Sequence, residues 1–262
     1  MAQLLSGSAL ITGAASGIGH QTALAFAKYG KAKLALADLD PSALAKSAEA
    51  IRVQYPALEI LELQMDVRKT AEVKAGFDAT VAQFGRLDVA VNNAGIRGPQ
   101  GNTDQTEESA FDETIDIDLT GVWRCQREAL RVMVGQDDQG PREGRGRIIN
   151  TASIFGLFGP PRGLAHTPYT AAKHGVVGLT KADAVIYGKE GIRINCICPG
   201  WTMTPLITDP DNPKLCQEIE RGAVPRPAQV EEIADAMVFL ASPLSSFMQG
   251  ASLVVDGGFT LT

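Results

Sequence analysis

The stretch SALITGAASGIGHQTALAFA, residues 8–27, decides the fold. Its first five residues are an apolar run that predicts a buried strand, and the apolar spacing from Thr22 to Ala27 predicts a helix. The glycine-rich turn between them lets the backbone approach a phosphate, which the amide donors of a helix N-terminus can then bind. The spacing is G-x-x-x-G-x-G, whereas the general fingerprint is G-x-G-x-x-G. A strand, a glycine turn and a helix in this order indicate the phosphate-binding half of a dinucleotide fold.

A second predicted strand, residues 33–38, ends in an acid, Asp38. A carboxylate here can accept hydrogen bonds from the ribose hydroxyls of adenosine and would repel the 2′-phosphate of NADP. Asp38 could instead cap the next helix, but Asp40, directly before Pro41, suits that role better. We therefore predict NAD as the cofactor, with NADP less favoured.

Strand and helix patterns alternate along the rest of the chain. Further strands are predicted at residues 60–65, 87–92, 147–152, 192–198 and 253–256, and helices at residues 43–53, 108–134 and 230–240. This alternation predicts an α/β fold of the Rossmann type, a doubly wound parallel sheet with helices on both faces. No internal repeat or linker is evident, so residues 1–262 are predicted to form a single domain. The polar segment 135–145 is predicted to be a solvated loop.

Tyr169 and Lys173 carry the strongest chemical signal. Their spacing puts both side chains on one face of a helix, one turn apart. A phenol has a reference pKa of about 10, and a neighbouring ammonium lowers that pKa by favouring the phenolate. Tyr169 could then exchange a proton with an alcohol or carbonyl oxygen. Alone, the two residues would more often be a surface helix pair, but the predicted nucleotide site and a polar hydroxyl partner elsewhere in the chain favour the catalytic interpretation.

With these residues the chain resembles the short-chain dehydrogenase/reductase family, and the resemblance covers nearly all of it. The motifs that match, in the family's order, are TGxxxGIG at 12–19, the adenine-contacting pair Asp66-Val67, NNAG at 92–95, the strand ending in the catalytic serine at 146–153, YxxxK at 169–173, the PG turn at 199–200 and DGG at 256–258. The resemblance implies an NAD-dependent oxidoreductase that interconverts a secondary alcohol and a ketone.

The resemblance also implies a role for each matching residue. Ser153 polarises the substrate oxygen, Tyr169 is the acid/base, and Lys173 binds the nicotinamide ribose while lowering the Tyr169 pKa. Asp118 replaces an Asn that in the family helps hold a water linking the lysine to solvent; its charge would raise the Tyr169 pKa unless it points away or is protonated. The expected cofactor-binding residues are Gly13, Ser16, Gly17, Ile18, Gly19, Asp38, Asp66, Val67, Asn93, Ala94, Gly95, Tyr169, Lys173, Pro199, Gly200 and Thr202.

Two segments are expected to contact the substrate. One follows Ser153, and the other, residues 201–227, corresponds to the family's mobile lid. The expected substrate contacts are Phe155, His166, Trp201, Met203 and Leu206. The apolar lid side chains could equally pack against the base of the lid. His166 and Arg162 could meet a polar group of the substrate, but a solvated position in the loop is slightly favoured for both.

Composition and charge narrow the function classes. The chain has 262 residues, of which 45% are hydrophobic, and its net charge of −6 argues against a nucleic-acid partner. No apolar run approaches the roughly 18 residues of a membrane span, and no signal peptide is evident, so we expect a cytoplasmic protein without a membrane partner. The four cysteines lack metal-ligand spacing, so no metal is predicted; Cys196 and Cys198 are expected to be reduced thiols in the core or lining a pocket.

Two other functions stay open at this stage. One is non-redox chemistry, such as cyclisation or isomerisation, with the nucleotide retained; the other is a nucleotide-binding regulator without turnover. The intact Ser153, Tyr169 and Lys173 weigh against both. The family commonly assembles through the helices that correspond here to residues 108–134 and 169–188. This implies a homotetramer or homodimer, with residues 258–261 available for further packing.

Overall fold

The computed structural model describes residues 3–30, 32–207, 209 and 211–261; Thr208 and Pro210 of the predicted lid lie outside them. Seven strands form one sheet in the order β3-β2-β1-β4-β5-β6-β7, with every neighbouring pair parallel. The strands are β1 (Ser8–Thr12), β2 (Lys33–Asp38), β3 (Glu59–Gln64), β4 (Val89–Asn92), β5 (Gly146–Thr151), β6 (Ile192–Pro199) and β7 (Ser252–Val255). The order reverses between β1 and β4, which opens a crevice at the carboxyl ends of these strands. The predicted Rossmann-type fold is thereby confirmed.

Helices cover both faces of the sheet. They are α1 (Gly17–Lys28), α2 (Pro41–Gln54), α3 (Thr70–Phe84), α4 (Glu108–Ile115), α5 (Val122–Val134), α6 (Thr167–Tyr187), α7 (Pro213–Arg221) and α8 (Val230–Ala241). Alternate residues of a strand point to opposite faces. Accordingly, Ala9 and Ile11 join a core with residues of α1, α2 and α8, whereas Leu10 joins a core with residues of α3 and α5. Both faces of β1 are therefore buried, as its continuous apolar run requires.

The helix predicted over residues 108–134 is interrupted. A π-helical turn, Asp116–Gly121, separates α4 from α5. Inside it, Asp118 accepts a hydrogen bond from the Ile96 amide (2.8 Å), and a Cβ on Gly121 would lie 2.8 Å from Val67 Cγ2. These contacts are tertiary, so the helical periodicity of the sequence does not reveal the turn. Such single π-turns occur frequently at functional sites.

Most predicted elements differ from the observed ones by only one or two residues at their ends. Strand β4, for example, begins at Val89 and not at Leu87. The reason is that both backbone groups of Leu87 bond to the Gln136 side chain and not to a neighbouring strand. Residues 135–145 contain no helix or strand, in agreement with the predicted loop.

Candidate active site

A cavity of about 610 Å³ lies at the carboxyl ends of the central strands. Its volume is within the usual range for small-molecule and cofactor sites. The glycine turn after β1 and Asp38 line one part of it. Ser153, Tyr169 and Lys173 line another, and residues 199–202 and 204–207 contribute a further wall. The fold thus brings the predicted nucleotide and catalytic residues to one cavity.

The glycine turn is shaped for close approach of a ligand. Gly13 and Gly17 have φ values of +67° and +53°, which favour glycine. A Cβ on Gly19 would lie 2.1 Å from the Gly13 carbonyl oxygen, so the turn has no room for one there. No side chain of the described residues caps the first turn of α1, which leaves amide donors for an anion. These features fit the pyrophosphate of a dinucleotide.

Asn93 holds the glycine turn against β4. Its backbone N–H donates to Thr12 Oγ1 (2.9 Å), and its side-chain amide donates to the Thr12 carbonyl (3.2 Å). The Ala94 amide also donates to Thr12 Oγ1 (3.0 Å). The TGxxxGIG and NNAG motifs are therefore one hydrogen-bonded unit across the switch point between β1 and β4.

Asp38 is already partly engaged by the backbone. Its carboxylate accepts hydrogen bonds from the amides of Ala15 (3.0 Å) and Asp40 (3.2 Å), so it is not as free as the sequence suggested. Asp40 caps α2 through the amides of Ser42 and Ala43, as predicted. A carboxylate has about four acceptor sites, and Asp38 lines the cavity, so ribose hydroxyls can still donate to it.

The expected adenine contact, Asp66, is held by a residue that the sequence did not single out. Arg68 donates to both Asp66 oxygens (2.9 and 2.8 Å) and lies 3.3 Å from a Glu113 oxygen. The hydrogen bonds from Arg68 keep the pKa of Asp66 below its ordinary value. An adenine amino group would therefore share the Asp66 carboxylate with Arg68.

The catalytic candidates meet where β5 ends beside α6. The Ser153 hydroxyl accepts from the Phe155 amide (3.1 Å) and lies close enough to Tyr169 to act on the pKa of that phenol. Tyr169 and Lys173 stand one turn apart, with the ammonium 5.2 Å from the centre of the phenol ring. Lys173 Nζ also donates to the Thr151 carbonyl (3.1 Å). Two hydroxyls and an ammonium thus line one part of the cavity, and these are groups that general acid–base chemistry uses.

Asp118 lies beside Lys173 and does not point away. Its Oδ2 is 3.3 Å from Lys173 Nζ, and both side chains are buried. Burial raises the pKa of Asp118, while the ammonium opposes the rise. Burial alone would lower the pKa of Lys173, but the charges of Asp118 and Tyr169 outweigh it and raise that pKa.

The Tyr169 pKa differs from the sequence-based expectation. Burial raises it above its ordinary value, the Lys173 ammonium opposes the rise, and the Asp118 carboxylate adds to it. The spacing of Tyr169 and Lys173 reveals only the neighbouring ammonium, which predicts a lowered Tyr169 pKa. Desolvation, which the spacing does not reveal, disfavours the charged form of the phenol and outweighs the ammonium.

Aromatic side chains form the apolar wall near Tyr169. Trp201 packs edge-on against Phe155 (5.5 Å between ring centres) and against Phe259 (6.0 Å). Of the expected lid contacts, Trp201 and Leu206 line the cavity, but Met203 does not and is 42% exposed. Phe259 comes from the C-terminus, and no local pattern connects it with this wall.

His166 is buried and lines the cavity, so it is not a solvated loop residue. Its Nδ1 lies 3.2 Å from the Pro99 carbonyl. A carbonyl only accepts, so Nδ1 carries the proton and Nε2 of the neutral ring is an acceptor. Burial lowers the His166 pKa, which favours this neutral form. Arg162, in contrast, is exposed.

Most of the expected site residues line the cavity. Gly19 is an exception, because it supports the turn from behind. The cavity also has lining residues that the sequence did not single out, among them Arg68, Ile96, Arg97, Glu113, Thr151, Thr204, Pro205 and Ile207. Arg97 directly follows the NNAG motif and Ile96, and this adjacency was the available signal.

Cys196 and Cys198 are buried on one face of β6, as predicted, in a core with Val122, Ala152 and Val176. Within the described ranges, no group of three or more His, Cys, Asp or Glu side chains is arranged to hold a metal ion. None of the described helices combines the length and apolar character needed to cross a membrane.

The fold and the site are typical of a family of dinucleotide-dependent oxidoreductases. A family model described as enoyl-(acyl carrier protein) reductase matches residues 13–260. Levodione reductase of Leifsonia aquatica is 39% identical over 95% of this chain and 92% of that protein. Cis-4-hydroxycyclohexanecarboxylate dehydrogenase of Sinomonas cyclohexanicum is 39% identical over 96% of both. The chain belongs to the short-chain dehydrogenase/reductase family, and its relatives are dehydrogenases and reductases.

Solved structures agree with this assignment. A crystal structure of levodione reductase superposes with a TM-score of 0.89 at 37% identity and covers 98% of each chain. Carveol dehydrogenase from Mycobacterium avium, solved in complex with NAD, gives a TM-score of 0.89 at 29% identity over the full length of both chains. The predicted family and fold are therefore confirmed.

Proposed function

We propose that this protein is an NAD-dependent dehydrogenase/reductase that interconverts a secondary alcohol and a ketone of small-molecule size. The observation that carries the proposal is one cavity lined by the glycine turn, Asp38 and the Ser153–Tyr169–Lys173 cluster. When bound, the nicotinamide ring would supply the hydride acceptor or donor. The relatives, which are named for alcohols and ketones of small size, support the same substrate class.

The catalytic roles follow from the contacts around Tyr169. In the oxidation direction, its phenolate accepts the alcohol proton as the carbinol hydrogen leaves as hydride; in reduction it returns that proton to the oxygen. Ser153 lines the same cavity as Tyr169, and its hydroxyl binds the same substrate oxygen. The Lys173 ammonium stabilises the phenolate, and its bond to the Thr151 carbonyl fixes its position.

The preference for NAD rests on Asp38 and its surroundings. The carboxylate would repel a 2′-phosphate on the adenosine ribose. The neighbouring positions are Ala15, Ser16 and Leu39, none of which offers a positive charge to such a phosphate. The NAD complex of the carveol dehydrogenase relative supports this choice.

The non-redox and regulatory alternatives receive less support. A regulator without turnover does not need Tyr169 and Lys173 within reach of Ser153, yet these side chains are held together.

We further propose that residues 201–227, which include α7, act as the lid over the substrate, and that the protein works as a homo-oligomer in the cytoplasm. Cys125, Cys196 and Cys198 are free thiols, which suits a reducing compartment.

The test is a panel of secondary alcohols and ketones, each assayed with NAD(H) and NADP(H) by nicotinamide absorbance. We expect turnover of at least one alcohol–ketone pair, with higher kcat/KM for NAD(H). Tight NAD binding without turnover of any pair would favour the regulator. Consumption of a substrate without an absorbance change would favour non-redox chemistry.

A further inference from the structure

We infer that Arg97 binds a carboxylate on the substrate, so that the physiological alcohol or ketone is also an acid. This inference rests on the proposed function and names the substrate class for the same site. It assigns a specificity role to a residue outside the proton-transfer cluster.

Arg97 sits on a segment that is held on both sides. The Ile96 amide donates to Asp118 (2.8 Å), and the Pro99 carbonyl accepts from His166 (3.2 Å). Between them, Gly98 has a φ of +65°, and a Cβ there would lie 2.5 Å from Thr114 Oγ1. These contacts fix the backbone on either side of Arg97, which lines the cavity.

Arg97 differs from the other long cationic side chains of the cavity in lacking an acid partner. Lys173 pairs with Asp118, and Arg68 is held by Asp66 and Glu113. No ion pair or hydrogen bond connects Arg97 to another side chain among the described residues, although it is half-buried. A guanidinium cannot shed its charge and is suited to bidentate binding of a carboxylate.

The position of Arg97 favours the substrate over the adenosine end of the cofactor. It is close enough to His166 for its charge to lower the pKa of that imidazole. His166 lies three residues before Tyr169, at the start of α6, whereas the ribose end of the cavity is marked by Asp38. The neutral His166 ring does not compete with an anion for the guanidinium. Its Nε2 would instead accept from a hydroxyl or a protonated acid.

A second observation points to an oxygen-rich substrate. The indole nitrogen of Trp201 is buried and has no acceptor among the described residues, yet the residue lines the same cavity. Buried donors are costly when they remain unpaired. A substrate with a second oxygen function beyond the reacting carbon would supply acceptors that an unsubstituted alcohol lacks.

The experiment compares acids with their neutral counterparts. The probes are 3- and 4-oxocyclohexanecarboxylate, their methyl esters and cyclohexanone, each assayed with NADH. The wild type should prefer at least one acid to its ester. Arg97→Gln should lower kcat/KM for that acid about 10- to 100-fold, mainly through KM, while the ester changes little. Arg97→Lys, which keeps the charge, should retain part of the preference.

A matched control and a binding assay complete the design. Arg162→Gln removes an exposed arginine that does not line the cavity, and it should leave the acid-to-ester ratio unchanged. Cyclohexanecarboxylate should inhibit reduction of a neutral ketone competitively in the wild type and far more weakly in Arg97→Gln. This second readout does not depend on turnover of an acid.

Three results would overturn the inference. The first is equal kcat/KM for acids and esters in the wild type, or equal inhibition of the wild type and Arg97→Gln by cyclohexanecarboxylate. The second is an equal loss for acids and esters in Arg97→Gln. The third is a rise in the KM of Arg97→Gln for NADH that matches the rise in its KM for the acid. That result would assign the guanidinium to the cofactor phosphates. The proposed oxidoreductase function fails separately, only if the neutral alcohols and ketones of the wider panel are also inert.

Discussion

Asp118 Oδ2 lies 3.3 Å from Lys173 Nζ, and the two side chains form a buried ion pair. The pair connects the π-helical turn before α5 to the acid–base helix α6. Charges interact far more strongly here than at an exposed surface, because little water is present to screen them. The Asp118 charge raises the Tyr169 pKa. Removal of that charge should therefore lower the Tyr169 pKa.

Asp118→Asn should shift the pH dependence of activity. The neutral amide no longer raises the Tyr169 pKa, so the phenolate forms at lower pH. Alcohol oxidation, which needs the phenolate, should gain activity at lower pH. Ketone reduction needs the phenol, so its loss of activity with rising pH should begin at a lower pH than in the wild type. The measurement is kcat against pH in both directions.

Asp116→Asn is the matched control for this variant. Asp116 lies in the same π-turn but pairs with Arg124 and does not line the cavity. Its substitution should leave the pH profile in place. An unchanged profile in an active Asp118→Asn enzyme would mean that the Asp118 charge is not coupled to the catalytic pair.

Tyr169→Phe should abolish proton transfer while it keeps the ring that packs beside the aromatic wall. A general acid–base group contributes about 10²–10⁴-fold to rate, so kcat should fall by that order. NAD binding, measured by titration calorimetry, should be largely retained. Tyr187→Phe, at the far end of α6, is the control and should remain active. Activity of Tyr169→Phe within a few-fold of wild type would assign the acid–base role elsewhere.

Asp38→Ala should narrow the difference in kcat/KM between NAD and NADP, chiefly because it weakens the binding of NAD. Loss of charged hydrogen bonds to the ribose corresponds to about a 10- to 100-fold rise in the KM for NAD. Asp38 also holds the Ala15 amide, so the substitution should weaken both cofactors somewhat. The ratio of kcat/KM values is therefore the informative measurement.

Asp40→Ala provides the control for cofactor preference. It removes the cap of α2 and should cost about 1 kcal/mol of stability. Because Asp40 does not line the cavity, the cofactor ratio should stay at the wild-type value. Comparable efficiency of the wild type with NAD and NADP would contradict the role given to Asp38.

Local patterns were sufficient to predict much of this molecule. The apolar run at Ser8–Thr12 and the glycines after it fix a strand and a turn through short-range sterics. The four-residue spacing of Tyr169 and Lys173 fixes their common face on α6. The structure brings these segments together because the order of strands and helices allows few topologies.

The remainder depends on contacts between distant segments. The π-turn at Asp118 arises from its bond to the Ile96 amide, 22 residues earlier in the chain. Phe259 reaches the aromatic wall from the other end of the sequence. The raised Tyr169 pKa reflects desolvation by the whole fold. Neither periodicity nor motif spacing contains this information.

Gly19→Ala should disrupt the glycine turn. The added Cβ would lie 2.1 Å from the Gly13 carbonyl oxygen, so the backbone must move. Overpacking of this kind costs about 1–3 kcal/mol, and NAD affinity should fall sharply. Thermal unfolding with and without NAD measures both effects. Gly178→Ala, at an open and exposed site on α6, is the control and should be neutral or stabilising. Normal NAD binding by Gly19→Ala would show that the turn tolerates a side chain.

The last prediction concerns assembly. Members of the family commonly form oligomers through helices equivalent to α5 and α6, and the prediction rests on that resemblance. Trp123 on α5 and Val185 on α6 are large apolar side chains that are 42% and 81% exposed in the single chain. We expect a homotetramer by light scattering at micromolar concentration. Val185→Asp should reduce the mass, because a buried interface would have to accept an unpaired charge.

Val53→Asp is the matched control, because Val53 is 74% exposed on α2, away from these helices. It should leave the mass of the wild type unchanged. If Val185→Asp and Val53→Asp have the same mass as a tetrameric wild type, the subunits pair through another surface. A wild type that scatters as a monomer at micromolar concentration would refute the expected assembly itself.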